Sequence, residues 1–197
     1  MKRQRKKTGS STSPGSVRII AGTWRGRRLG VTDVEGLRPS GDRARETLFN
    51  WLQPHLRDAN CVDLFAGTGV LGLEAVSRGA AGAWLIERNP QAAIELRNHV
   101  DLLGAVNVRV VETDALAWLQ QRPADSVDVI FIDPPFGEDL APAVKDILDG
   151  GKQMKQGGLA YFETARSENA IQLSGPWLEL REKTIGEVRM QLLQCTG

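Results

Sequence analysis

A short apolar segment that breaks into a glycine-rich turn constrains this chain more than any other feature. The segment runs from Cys61 to Gly72 and reads CVDLFAGTGVLG. Its first residues are mostly apolar and predict a buried strand, and the glycines predict a tight turn into a helix that packs closely on a sheet. Free amide groups at the start of such a helix point at a bound ligand. The segment therefore predicts a strand, turn and helix unit with a ligand at the turn.

Gly67, Gly69 and Gly72 also satisfy the GxGxxG pattern that is typical of dinucleotide sites. Asp63, at the carboxyl end of the predicted strand, discriminates between ligands because a carboxylate repels a pyrophosphate and attracts an ammonium or sulfonium charge. S-adenosylmethionine carries both of these charges. We therefore predict that it binds here, with its methionyl part over the glycines and its amino group towards Asp63.

Strand and helix patterns alternate through the rest of the chain. This alternation predicts an α/β fold with a mostly parallel sheet and helices on both faces. The last two strands are joined by the short turn at residues 184–186 and predict an antiparallel edge. The predicted strands of this sheet cover residues 61–65, 83–87, 107–111, 127–133, 158–163, 178–183 and 188–194. The predicted helices cover residues 70–78, 90–103, 114–120 and 140–148.

Acidic residues follow the ends of the first three predicted strands. Glu87 ends the second strand, near the spacing at which an acidic residue meets ribose hydroxyls in parallel α/β sheets. Asp114 follows the third strand, where a carboxylate could accept a hydrogen bond from an adenine amino group. A surface charge at Glu87 and a helix cap at Asp114 are the structural alternatives. Because acidic residues recur at successive strand ends, they together favour a nucleoside ligand.

The fourth strand ends in the tetrapeptide Asp133-Pro-Pro-Phe136. Two prolines remove two amide donors and fix a rigid bend, which exposes carbonyl oxygens and the Asp133 side chain. Such a set of acceptors suits an exocyclic amine, whose N–H groups could bond to the Asp133 carboxylate and the Pro134 carbonyl. Phe136 would lie against a base that has been flipped out of its stack. A plain proline turn is the structural alternative.

The amino-terminal part is basic, although the whole chain has a net charge of only +1. Residues 1–60 hold 13 Lys and Arg against 5 Asp and Glu, which gives +8, and the remainder carries −7. This asymmetry indicates a polyanionic partner, and a solvated tail without a fixed role is the alternative. Residues 1–16 combine five of the cations with Ser, Thr, Gly and Pro and are predicted to form a disordered basic tail.

Two short strands, at residues 17–21 and 27–31, are predicted to form an open hairpin. Trp24 lies on it among Arg25, Arg27 and Arg28. An indole among guanidinium groups suits stacking on an unpaired base with phosphates held nearby. The alternative is that Trp24 anchors the hairpin to the core.

A helix with an apolar face follows the hairpin, and Ser40 or Asp42 is the predicted cap. Arg38, Arg43 and Arg45 are expected near its exposed beginning, where they would add to the basic surface.

The composition excludes several classes of protein. No apolar run is long enough to cross a membrane, and the polar, basic amino terminus does not form a secretory signal. The two cysteines do not make a disulfide framework, which predicts a cytoplasmic protein. His55 and His99 fall on helical patterns and are expected at helix surfaces, so no metal site is predicted.

Four longer motifs stand out in the chain: RIIAGTWRGRRL from Arg18, LRPSGDRARETLFNWL from Leu37, DLFAGTG from Asp63 and DPPF from Asp133. Together they resemble the RsmD family, whose members are bacterial enzymes that methylate the N2 amino group of one guanine in 16S rRNA. The resemblance covers about residues 17 to 194. It implies a class I (Rossmann-like) methyltransferase fold with the strand order 3-2-1-4-5-7-6. It also implies a substrate that is an assembled or nearly assembled small ribosomal subunit.

The resemblance also assigns parts and residues of the chain. Residues 1–16 form the tail, residues 17–57 an rRNA-recognition extension, and residues 58–197 the S-adenosylmethionine-dependent domain. The residues assigned to catalysis are Asp133, Pro134, Pro135 and Phe136. Those assigned to the cofactor are Asp63, Phe65, Ala66, Gly67, Gly69, Glu87, Asp114 and Asp133. Those assigned to RNA are Arg18, Trp24, Arg25, Arg27, Arg28, Arg38, Arg43 and Arg45.

Three other functions remain compatible with parts of the sequence. A DNA adenine-N6 methyltransferase is the nearest, because Asp-Pro-Pro followed by an aromatic residue can hold either base amine. An NAD-dependent oxidoreductase would share the glycine pattern, but Asp63 and Asp133 weigh against it. A ribosome-assembly protein with a vestigial cofactor site is disfavoured because Asp63, Glu87, Asp114 and Asp133 are all present.

Overall fold

The computed structural model describes residues 15–30, 41–135, 138, 140–150 and 152–197. The tail as far as residue 14, Arg38, Ser40 and Phe136 lie outside these residues. The strands are β1 (Ser16–Arg18), β2 (Arg28–Gly30), β3 (Asn60–Asp63), β4 (Gly82–Glu87), β5 (Val108–Glu112), β6 (Val127–Ile132), β7 (Met154–Ala165), β8 (Trp177–Ile185) and β9 (Val188–Cys195). The helices are α1 (Asp42–Leu52), α2 (Val70–Ser77), α3 (Pro90–Leu103), α4 (Ala115–Gln120) and α5 (Leu140–Gly150).

Within the described residues, β3 to β9 form one sheet in the order β5-β4-β3-β6-β7-β9-β8. The strands from β5 to β7 are parallel, and β9 pairs antiparallel with both β7 and β8. Counted from β3, this is the order 3-2-1-4-5-7-6, and the predicted α/β class is confirmed. The chain leaves β3 towards β4 on one side and later returns to β6 on the other. Ligands of open parallel sheets bind where the order reverses in this way, at the carboxyl ends of the strands.

Side chains that alternate along the central strands supply two hydrophobic cores. Cys61 and Phe131 face the core that contains α1, α2, α3 and the amino-terminal hairpin. Val62 and Ile132 face the core that contains α4 and α5. Strands buried on both faces must be apolar at successive positions, which explains the short unbroken apolar runs in the sequence.

The amino-terminal extension packs on the first of these cores. β1 and β2 pair antiparallel, with Val17 opposite Leu29, and both side chains are buried. Helix α1 inserts Phe49, whose ring centroid lies 6.0 Å from that of Phe131 in the central strand β6. The predicted hairpin and helix are therefore present, and their apolar faces are continuous with the core of the sheet.

Two predicted helix starts have different outcomes. Helix α3 begins at Pro90, as predicted, and Asn89 caps it, because the Asn89 side chain accepts hydrogen bonds from the amides of Gln91 and Ala92. Helix α1 begins differently: Gly41 occupies the cap position and no side chain caps the helix. The prediction of Asp42 as the cap is wrong, because Asp42 is the first helical residue and its carboxylate pairs with arginines instead.

The prediction of a surface position for His99 is also wrong. His55 is exposed, but His99 is buried on α3, with Nδ1 3.3 Å from the carbonyl oxygen of Thr68 in the glycine turn. Burial lowers the pKa of His99 below its usual value. Among the described residues, no helix is long and apolar enough to span a bilayer.

Candidate active site

The glycine turn lies between β3 and α2 at the carboxyl edge of the sheet. Gly69 has a φ of 77° and occupies the position before α2, a conformation that L side chains rarely adopt. Gly72, one turn into α2, packs so closely that a Cβ there would collide with the side chain of Leu85 in β4. The two glycines thus serve separate purposes: one allows the turn, and the other brings the helix onto the sheet.

Asp63 is buried against this turn, with only 2% of its surface exposed. Its Oδ2 accepts a hydrogen bond of 3.0 Å from the amide of Gly72, which ties the end of β3 to the first turn of α2. Burial raises the pKa of Asp63 to about 7, the Gly72 hydrogen bond opposes that rise, and the nearby charge of Glu87 adds to it. A site that buries a carboxylate in this way favours a cationic ligand group, which would restore the ionised form.

Glu87 and Asp114 follow the next two strands along the edge. The Glu87 carboxylate accepts hydrogen bonds from the amides of Gly67 (3.0 Å) and Asn89 (2.7 Å), so it links the glycine turn to the loop before α3. Asp114 caps α4 by accepting from the Ala117 amide at 2.9 Å and remains exposed. Asp114 is therefore a helix cap, which is the structural alternative given for it above. An additional contact of Asp114 with a ligand stays a prediction.

Phe65 and Ala66, the other residues assigned to the cofactor, follow Asp63 in the same turn. Ala66 is buried and donates its amide to the carbonyl of Ile86 at 2.9 Å, while Phe65 is half-buried. Ala66 therefore ties the turn to the end of β4.

The Asp133-Pro134-Pro135 bend directly follows β6, which pairs with β3 so that Phe131 lies opposite Asp63. Asp133 is half-buried, Pro134 is buried and Pro135 is exposed. The bend and the glycine turn therefore meet at the point where the strand order reverses. Phe136, which sequence analysis placed against a flipped base, lies outside the described residues.

A second acidic position beside Asp133 escaped the sequence analysis. Glu163, near the end of β7, is buried, and its Oε2 accepts a 2.6 Å hydrogen bond from the hydroxyl of Tyr161. Burial raises the pKa of Tyr161 well above its usual value, and the charges of Glu163 and Asp133 add to the rise. The rule that led to Glu87 and Asp114, inspection of acidic residues at strand ends, would have found Glu163 had it been applied to the fifth strand.

A cleft of about 950 Å³ opens beside the Asp133 bend. Pro134 and Pro135 line one side, β7 contributes Glu163 and Thr164, and the segment 167–174 closes the other side. This volume falls within the range of about 300 to 1,000 Å³ that is typical of ligand pockets.

The amino-terminal hairpin presents most of the predicted basic surface. Its arginines are exposed, and several are anchored by a single contact: Arg18 pairs with Asp42 at 3.3 Å, Arg27 donates to the Leu102 carbonyl and Arg28 donates to Ser16. Trp24 is half-buried against the first core, so it does anchor the hairpin. The residues predicted for RNA that lie exposed on this surface are Arg18, Arg25, Arg27, Arg28 and Arg43.

Arg45 is the exception, and its predicted role as an exposed RNA contact is wrong. Its side chain is 1% exposed and donates to the Arg18 carbonyl at 2.9 Å and to Asp42 at 2.6 Å. A third partner, Glu74 in α2, lies 4.0 Å away and is fully buried. Arg45 therefore acts within the fold, since it occupies the inward face of α1.

Glu74 is the centre of a polar junction between α2 and the hairpin. Its carboxylate accepts from the amides of Ile20 (2.6 Å) and Ala21 (2.9 Å) and from Nε of Arg78 (2.7 Å). Three residues further along α2, Ser77 donates to the Ala21 carbonyl and accepts from the Trp24 amide. The helix that begins at the glycine turn thus ends in a set of hydrogen bonds to the hairpin, which we call the Glu74 junction.

The sheet order, the glycine turn at the reversal point and the acidic strand ends define a Rossmann-like fold of the class I methyltransferase type. A sequence model described as "Conserved hypothetical protein 95" matches residues 17–194, nearly the whole chain. The chain therefore belongs to this family, the RsmD family of methyltransferases.

Known proteins agree with this assignment. The chain is 43% identical over 188 residues to "Ribosomal RNA small subunit methyltransferase D" of Escherichia coli K12, a match that covers 95% of this chain and 94% of the relative. A solved structure, "Putative methyltransferase yhhF from Escherichia coli", has a TM-score of 0.84 and 40% identity over 92% of this chain and 99% of that one. A putative SAM-dependent methyltransferase from Streptococcus mutans shares the fold at 14% identity, with a TM-score of 0.70 over 95% of this chain and 57% of that one.

Proposed function

We propose that this chain transfers the methyl group of S-adenosylmethionine to the N2 amino group of a specific guanine in 16S rRNA of the small ribosomal subunit. The observation that carries the proposal is the position of the Asp133-Pro134-Pro135 bend, next to the glycine turn at the reversal of the strand order. Membership of the RsmD family and the name of the Escherichia coli relative support the rRNA substrate.

The residues at the glycine turn suit S-adenosylmethionine, which supplies a methyl group on a sulfonium centre when bound. The glycine backbone leaves room for close approach of a ligand, and the carboxylate of Asp63 offers a partner for an ammonium group. Glu87 lies at the end of β4, where ribose hydroxyls are bound in folds of this type. The exposed Asp114 is placed one strand further out for an adenine amino group.

We expect calorimetric titration at pH 7 to show saturable binding of S-adenosylmethionine and none of NAD. The affinity should also depend on pH, because an ammonium group favours ionised Asp63, whose pKa is about 7 in the free protein. Binding should therefore release a proton below pH 7, and the affinity should weaken as the pH falls, by up to about tenfold per pH unit.

The Asp63→Asn variant is the matched control for this pH effect, because it keeps the shape of the side chain and removes its titration. Its affinity should be lower at pH 7 and nearly constant between pH 5 and pH 7. A wild-type affinity that stays constant over this range, or NAD binding in place of S-adenosylmethionine, would contradict the assignment of Asp63.

The raised pKa of Asp63 has the opposite consequence for folding stability. The unperturbed value is 3.8, so the folded state holds its proton more tightly than the unfolded chain does. The contribution of Asp63 to stability is therefore complete below pH 3.8 and is lost as the pH rises through about 7. The protonated form of Asp63 therefore favours folding, and the ionised form favours cofactor binding.

The Asp133 bend is suited to hold the amine that receives the methyl group. The carboxylate and the Pro134 carbonyl are acceptors, and the two prolines contribute no amide donors that would compete with the amine. Accepting both N–H groups draws the nitrogen towards a tetrahedral geometry and directs its lone pair away from the acceptors. The role proposed for Asp133 is that of a hydrogen-bond acceptor.

The extension at residues 17–57 is proposed as the rRNA-binding surface. An arginine carries five N–H donors, so the single anchoring contacts of Arg18, Arg27 and Arg28 leave donors for phosphate groups. Trp24 contributes by fixing the hairpin, since the Glu74 junction and the first core hold that segment in place.

The test of the function is a labelling experiment with four substrates. The protein and labelled S-adenosylmethionine are incubated with small subunits from a strain that lacks the protein, with free 16S rRNA, with DNA and with small subunits from the parent strain. We expect N2-methylguanosine in the subunits from the deficient strain and little label elsewhere. N6-methyladenine in DNA would establish the alternative function, and label in no substrate would overturn both.

A further inference from the structure

Asp133 directly follows β6, and Glu163 lies near the end of the neighbouring parallel strand β7, at the same edge of the sheet. Ile132 of β6 is paired with Phe162 of β7, so the next residues along the two strands are Asp133 and Glu163. Asp133 and Glu163 are therefore neighbours across the pair of strands β6 and β7. Glu163 is nevertheless not one of the groups that hold the reacting amine.

Tyr161 holds the Glu163 carboxylate in one orientation. Its hydroxyl donates to Oε2 at 2.6 Å, and both side chains are buried, at 1% and 4% exposure. A carboxylate has about four acceptor positions, so it can accept more than one hydrogen bond at a time. A buried acceptor that is fixed in this way can form a hydrogen bond selectively with a ligand that carries a donor at the matching position.

The cleft beside the Asp133 bend makes this part of β7 accessible to a ligand, since Glu163 and Thr164 are among the residues that line it.

The edge of guanine that carries the N2 amine also carries the N1–H, directly beside it. Adenine and 2-aminopurine have an acceptor at N1 in place of this donor. A carboxylate beside the amine site therefore stabilises guanine and repels the lone pair of the other two bases.

We propose that Glu163, oriented by Tyr161, accepts the N1–H of the target guanine and makes the enzyme selective for guanine. This inference rests on the proposed guanine-N2 function. Glu163 is a specificity residue in this scheme, whereas Asp133 holds the amine that reacts.

The base analogue 2-aminopurine separates selectivity from general activity, because it keeps the N2 amine and lacks the N1–H. Small subunits are reconstituted with guanine or 2-aminopurine at the nucleotide that the labelling experiment identifies. Single-turnover methylation is then measured for wild type, Glu163→Gln and Tyr161→Phe at saturating S-adenosylmethionine. The matched control is Glu187→Gln, which makes the same chemical change at an exposed residue outside the cleft.

Wild type and Glu187→Gln should methylate guanine about 10- to 100-fold faster than 2-aminopurine, the range expected for one hydrogen bond to a charged group. In Glu163→Gln the guanine rate should fall by a similar factor, and the 2-aminopurine rate should stay the same or rise, because the glutamine amide can donate to N1. Tyr161→Phe should show a smaller change in the same direction. The affinity for S-adenosylmethionine should be unchanged in all variants.

An equal loss of activity on both bases in Glu163→Gln would assign Glu163 a purely structural role and overturn the inference. Unchanged selectivity in that variant would do the same. These outcomes are distinct from failure of the proposed function, in which wild-type protein itself leaves guanine in the subunit unmethylated.

Discussion

Replacing Asp133 with alanine should lower the single-turnover rate of methyl transfer about 100- to 1,000-fold. Losing one well-placed acceptor from a site poor in water costs about 2 to 4 kcal/mol of barrier, by analogy with the loss of an oxyanion-hole donor. Asp133→Asn should keep appreciable activity, because the amide oxygen can still accept a hydrogen bond from the amine. The rates are measured on small subunits at saturating S-adenosylmethionine.

The graded order of wild type, Asn and Ala is the informative result. A base amine loses its proton readily only after the nitrogen has become cationic, when water can take the proton, so no general base is required. Cofactor affinity should change little in either variant, and Asp146→Ala, at an exposed carboxylate of α5, serves as the control. Near-complete loss in both Asp133 variants would instead indicate that Asp133 removes the proton.

Glu74→Ala should destabilise the fold severely. The free energy of unfolding should fall by about 3 to 5 kcal/mol, because the change removes a fully buried carboxylate that pairs with Arg78 at 2.7 Å and lies 4.0 Å from the buried Arg45. It also removes the acceptor of the Ile20 and Ala21 amides. Urea denaturation followed by circular dichroism measures the effect.

Glu46→Ala is the matched control, since Glu46 is an exposed glutamate in the neighbouring helix α1 and its loss should change stability by less than about 0.5 kcal/mol. Glu74→Gln should fall between the two, because it keeps an acceptor and loses the charge. If Glu74→Ala stayed within about 1 kcal/mol of wild type, far below the penalty expected for breaking a buried ion pair, the Glu74 junction would not be needed for stability.

The fold was largely predictable because the strong signals were local. Alternation of apolar runs with glycines and helix starts is set by neighbouring residues, and Asn89 caps its helix through amides only two and three residues away. The glycine turn followed from the same kind of information, since its tight packing requires small residues at fixed spacing.

The errors concerned polar groups whose partners are distant in the chain. Arg45 lies four residues before Phe49 and seven before Leu52, so helical spacing put it on the buried face, but its charge suggested an exposed position. Its partner Glu74 is the single charged residue in an otherwise apolar helix, and such a residue signals a buried cation elsewhere. His99 was misplaced for the same reason, since it follows Ala92 and Leu96 on the inward face of α3.

The Glu74 junction makes the hairpin an inseparable part of the catalytic unit. A shortened protein that starts after residue 57 would remove the Ile20 and Ala21 amides that the Glu74 carboxylate accepts from and would uncover the buried face of α2. A different hairpin grafted onto this sheet would also lack the hydrogen bonds to Glu74 unless α2 were exchanged along with it. The position of the hairpin and the geometry of the glycine turn are therefore coupled through one eight-residue helix that has the glycine turn at one end and the hairpin at the other.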